Sequence, residues 1–149
     1  MFIEPSGRNE IDNLASKLAG ATQVNASLFA QVVAASPRLM TLRAIGKTAR
    51  LDRLAVCEAW AEAAIELIAL EAPGWTVKRL SLDDREWLCS LTRFPDVPNW
   101  LDESAEGRHP ILALAVLDAL LAVRAMDALA LRSAATRPGG VGADCIDYR

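Results

Sequence analysis

Trp75-Thr76-Val77-Lys78-Arg79-Leu80-Ser81-Leu82-Asp83-Asp84-Arg85-Glu86-Trp87-Leu88-Cys89-Ser90-Leu91-Thr92-Arg93-Phe94 is the stretch whose reading decides the fold. Residues 75–82 and 86–94 are rich in strand formers, and Asp83-Asp84-Arg85 between them reads as a turn. Trp87, Cys89 and Leu91 alternate at a period of two, as one buried face of a strand requires. The first strand is less regular, because Val77 falls on the opposite face from Leu80 and Leu82. The segment predicts a two-stranded antiparallel hairpin.

On its N-terminal side the pattern is helical. Residues 9–20 place Ile11, Leu14, Ala15 and Leu18 at helical spacing, with Gly20 as the stop. Asn25 can cap a second helix reaching Val33 or Ala35, and Ser36-Pro37 opens a third. From Leu39 an apolar pattern runs to Ala72, with breaks at Gly46 and near Leu51-Asp52. Pro73-Gly74 then ends the helical half.

On the C-terminal side, residues 95–98 read as a loop and 99–106 as a short helical turn around Trp100. Gly107-Arg108-His109-Pro110 leads into a helix over 111–131 that is apolar nearly all round, the mark of a central or interface helix. Asp118, Arg124 and Asp127 interrupt it at depths that are costly in lipid, so it reads as a buried helix, not a membrane span. Residues 133–149 read as a flexible tail. The expectation is one α+β domain over 1–132: a helical N-terminal half, a central two-stranded antiparallel hairpin, and a long apolar C-terminal helix packed on it. An isolated hairpin is marginally stable, so it must lie on helices or pair with a second copy, two hairpins then making four strands in a homodimer.

Composition narrows the chemistry. The 149-residue chain carries a net charge of −3, which supplies no general attraction to polyanions. Cys57, Cys89 and Cys145 lie far apart, and His109 is the single histidine. That inventory excludes a disulfide framework and a structural zinc site, and fits reduced thiols in a cytoplasmic protein. The opening residues do not read as a signal peptide. No cofactor is expected.

Residues of about 54–125 resemble the uncharacterised phage-derived ABA sandwich family. The likeness rests on a helix ending in Pro73-Gly74-Trp75, a first strand, and a second strand around Trp87. A loop ending in Ala105-Glu106-Gly107 then opens a helix rich in Ala and Leu from Pro110. The resemblance implies a helix–sheet–helix sandwich and a phage or mobile-element origin. It implies no activity.

Residues 41–57 resemble the helix-turn-helix of lac-repressor-type regulators. Ile45, Ala49, Leu51 and Val56 fall where that motif packs its two helices together. The second helix would begin near Asp52, its cap, with Arg53 facing the groove. Arg38, Arg43, Lys47, Arg50 and Arg53 stand against the single acid Asp52, an excess able to contact phosphates. Arg50 occupies the turn position where the motif favours glycine, and Glu58 and Glu62 follow directly. The alternative is a solvated basic face on core helices.

Other residues suit packing better than catalysis. Glu58, Glu62 and Glu66 share one face of a continuous helix but lack the Glu-x-x-His elements of a di-metal site. His109 fits a role at the start of the last helix, and Cys89 reads as an inert buried thiol. Trp75 and Trp87 read as core, and Trp100 as an exposed anchor for a partner. The functional expectation is a non-catalytic, homodimeric binding or assembly protein; the alternative is a DNA-binding regulator working through 41–56.

Overall fold

The computed structural model describes residues 6–93 and 103–136. Trp100, expected as a partner anchor, and Cys145 lie outside them. Helices α1 (Ser6–Gly20), α2 (Ala26–Ala34), α3 (Pro37–Ala44), α4 (Ala49–Val56) and α5 (Trp60–Glu71) form the N-terminal half. Strands β1 (Thr76–Asp83), β2 (Glu86–Thr92) and β3 (Ser104–His109) follow, then α6 (Leu112–Thr136). The α+β class and the long final helix stand as expected, and α6 runs past Arg132 to Thr136. Among the described residues no helix is long and apolar enough to cross a membrane.

Local chemistry explains the helix ends. Asn25 Oδ1 accepts the Leu28 amide at 2.8 Å, a side-chain cap on α2. Gly46 takes a positive φ of 78°, which ends α3, and Gly74 does the same at 101° just beyond α5. A further break separates α4 from α5, where Glu58 adopts φ 59°. The continuous helix expected through Glu58 is therefore interrupted, and only Glu62 and Glu66 share the α5 face.

Among the described residues the sheet has three strands in the order β1-β2-β3, all antiparallel, and not the two of a hairpin. The third strand replaces the helical turn expected to reach Glu106. Ala105, Gly107 and His109 are buried and alternate with exposed Ser104, Glu106 and Arg108. Its inward face is built from small or polar residues, so the usual strand formers are missing.

The irregularity of β1 is a β-bulge. The register slips between Val77 and Arg79, leaving Lys78 as the extra residue. Val77, Leu80 and Leu82 consequently stand opposite Leu91, Cys89 and Trp87, all on one face. Across β3 the same face continues with Ala105, Gly107 and His109. The slip that spoils the alternation in sequence restores it in space.

A two-residue turn closes β1 and β2, with Asp84 at φ 54° and Arg85 at φ 65°. Positive φ at both central positions is a type I′ turn, which favours Asn-Gly. Arg85 holds a conformation that L-residues reach at a cost of roughly 1–2 kcal/mol. Arg85→Gly is expected to stabilise the chain by about 0.5–1 kcal/mol, net of the extra freedom glycine gives the unfolded state. A higher denaturant midpoint at unchanged slope is the check.

α6 is the centre of the molecule. Residues 113–117, 119–121 and Val123 are all buried. One side of α6 lies over β3 and β2, and other sides pack against α1 and α5. Sheet, α6 and the other helices therefore stack in that order. α5 rests on α6, not on the sheet as a helix–sheet–helix order would place it.

Candidate functional site

The basic residues of the α3–α4 region are mostly committed inside the chain. Arg43 Nη2 donates to Asp52 Oδ1 at 2.7 Å, and Thr48 Oγ1 donates to the other Asp52 oxygen at 3.1 Å. Arg50 pairs with Glu66 at 3.3 Å, and Arg38 Nε donates to the Leu70 carbonyl at 3.0 Å, tying α3 to the end of α5. Only Lys47 and Arg53 make no such contact among the described residues.

The helix pair also departs from the expected motif. α4 begins at Ala49, ahead of the start expected near Asp52, and Asp52 lies in its first turn instead of capping it. Of the four residues expected to pack the two helices together, only Leu51 is buried. Ala49 is exposed, as are Ile45 (61%) and Val56 (83%). α4 rests on α5. The apolar spacing in 41–57 reflects two short helices lying on the core, one turn out of phase with a DNA-reading pair.

Between α2 and α4 lies an open groove of about 560 Å³. Phe29, Leu51 and Trp60 line it, with the rings of Phe29 and Trp60 at 5.3 Å, and Arg43 and Asp52 sit beside Val56 on its rim. The rim cation and anion neutralise one another. This is a packing surface with little polar chemistry converging on it.

The β1 side of the sheet is different. Leu80 and Leu82 share the face that α6 covers over β2 and β3, yet they are 37% and 57% exposed. Beside them Val77 and Trp87 are half-buried. The sheet is wider than its covering helix. The sequence reading missed this pair, although the one-residue slip between Val77 and Leu80 was the signal that β1 bulges and carries its leucines inward.

Titratable and cationic side chains near the sheet make local contacts. His109 is buried, and its Nδ1 accepts the Ile111 amide at 2.9 Å, holding the chain as it enters α6. Asp118 accepts the Arg108 amide at 3.1 Å, joining α6 to β3. Burial raises its carboxyl above the ordinary value, and the hydrogen bond from the Arg108 amide offsets part of that rise. Arg93 stacks over the Trp75 ring at 5.1 Å.

The cysteines differ sharply. Cys57 is exposed, whereas Cys89 is fully buried and its thiol is pushed up to about 11 by desolvation. At neutral pH Cys89 therefore holds almost no thiolate, the reactive form. In native protein carrying Cys145→Ser, a thiol reagent is expected to modify Cys57 promptly and Cys89 only in denaturant. Rapid titration of both thiols without denaturant would contradict the packing of β2 beneath α6.

Comparisons with family models, curated proteins and solved structures find no match to this chain.

Proposed function

We propose that this chain is a non-catalytic assembly protein that works as a homodimer, and that the uncovered side of its sheet is where assembly occurs. One observation carries the reading. The apolar face of the sheet continues past α6 onto β1, where Leu80 and Leu82 remain in contact with solvent. Large apolar residues on a core face, at a strand edge that is unpaired among the described residues, are the signature of a surface awaiting another polypeptide.

The reactive side chains support the same reading by being engaged elsewhere. His109 holds the start of α6, Cys89 is a protonated core thiol, and Arg43, Arg50 and Arg38 are tied to neighbouring helices. For the DNA-binding alternative, Arg43 and Arg50 would have to exchange these exposed ion pairs, and Arg38 its carbonyl contact, for phosphates.

Sedimentation equilibrium should return a mass near twice the 16.1 kDa of the chain. Leu82→Asp should return the monomer mass with an unchanged helical circular-dichroism spectrum. Titration against bulk duplex DNA at low salt should be flat. A wild-type monomer across the micromolar range would reject the assembly reading. Steeply salt-dependent DNA binding, lost on Arg53→Ala, would favour the regulator.

A further inference from the structure

Resting on the assembly reading above, we infer that β1 pairs antiparallel with β1 of a second copy about a two-fold axis passing through Ser81, so that one sheet runs unbroken through the dimer. The pairing window is set by the fold. The bulge at Lys78 closes it on one side and the Asp84-Arg85 turn on the other, leaving Arg79 to Asp83 with Ser81 at the centre.

Backbone parity agrees with that axis. In an antiparallel hairpin closed by a two-residue turn, the closing residues Asp83 and Glu86 exchange hydrogen bonds with each other, and the pattern alternates along the ladder. Ser81 and Arg79 therefore also bond to β2, whereas Leu82 and Leu80 direct their amides and carbonyls away from it. An axis at Ser81 sets Leu80 opposite the partner's Leu82. Those two residues exchange both backbone bonds, and the two-fold repeats the exchange.

Side-chain chemistry agrees as well. On the face shared with α6, Leu80 meets the partner's Leu82, which extends the apolar strip formed by Cys89 and Leu91. On the opposite face, Arg79 meets the partner's Asp83. Neither Arg79 nor Asp83 has a side-chain partner among the described residues, and Asp83 faces the like charge of Glu86 across its own hairpin. The pairing thus supplies the countercharge that each chain lacks. An axis at Leu80 would set Lys78 against the partner's Leu82, and one at Leu82 would draw the turn residue Asp84 into the ladder.

The test combines charge exchange with cross-linking. Arg79→Asp or Asp83→Arg alone places like charges opposite each other twice per dimer, and should weaken the sedimentation dimer at least about tenfold. The double variant Arg79→Asp/Asp83→Arg should restore the wild-type dissociation constant to within about threefold. In a Cys57→Ser/Cys145→Ser background, Ser81→Cys should form a disulfide dimer under mild oxidation. Thr76→Cys should not, because the two copies of that position would lie roughly 30 Å apart along the paired strands. A dimer indifferent to the charge exchange, with no Ser81→Cys disulfide, overturns this register while leaving the assembly reading intact. A wild-type monomer overturns both.

Discussion

Gly107→Ala is expected to be among the most damaging single substitutions in the chain. A Cβ at that position would stand 2.3 Å from the Ala115 carbonyl oxygen, 2.3 Å from the Ala119 amide nitrogen and 2.9 Å from Ala119 Cα. These are backbone atoms of α6, so no side chain can rotate out of the way. Either α6 lifts from β3 or the strand leaves its register with β2. Because α6 also packs against α1 and α5, lifting it loosens both of its interfaces.

Overpacking in a core costs about 1–3 kcal/mol where side chains can adjust, and the upper end or more applies where only backbone can move. Against a total stability of roughly 5–15 kcal/mol, that is a large share. At about 2–4 °C per kcal/mol for a chain of this size, thermal unfolding should begin several degrees lower. Adding Ala119→Gly should not rescue the variant, since the clash is with main-chain atoms. Gly20→Ala is the control: it meets nothing within 4 Å and should be neutral or mildly stabilising. A Gly107→Ala protein as stable as wild type would mean that β3 and α6 are not in backbone contact.

Gly107 also shows why part of the fold could not be read in advance. In sequence, Gly107-Arg108-His109-Pro110 looks like a turn opening a helix, because glycine and proline usually punctuate. In space, glycine is there because a helix backbone lies on the strand. The alternation of Ala105, Gly107 and His109 is a proper period of two, but small residues give it no hydrophobic contrast. Only the position of α6 makes that face buried.

The helical half was more accessible, since Asn25, Pro37, Gly46 and Pro73-Gly74 each act locally. Leu80 and Leu82 fell between these cases. Their pairing partners were readable from the hairpin and the slip after Val77 signalled the bulge, but the limited reach of α6 depends on packing. The spacing in residues 41–57 misled for a related reason. Ile45, Leu51 and Val56 satisfy a helix-pair pattern, yet a periodicity cannot say which neighbour it will meet, and Leu51 alone is covered.

The second large effect is expected at Glu71 and Arg124. Arg124 is one of the three charges that interrupt the apolar run of α6, and the fold answers it with an ion pair to Glu71 at the end of α5 through Nε and Nη2. Nη2 also donates to the Val32 carbonyl at 3.2 Å, so one side chain joins α2, α5 and α6. Both side chains are about nine-tenths buried, at 10% and 9% exposure. Charges this deep lose much of their hydration, and that loss offsets most or all of their attraction.

Removing one partner is therefore far worse than removing both. Glu71→Leu should cost about 3–5 kcal/mol because it strands a buried guanidinium, and Arg124→Leu should cost a similar amount by stranding the carboxylate. Glu71→Leu/Arg124→Leu should recover most of that loss, giving a strongly favourable coupling in a double-mutant cycle. Moderate salt should leave the coupling nearly unchanged, unlike that of an exposed pair such as Arg93 and Glu103. Additive losses, or a coupling that fades with salt, would mean that the pair is open to water and that α5 does not seal against α6.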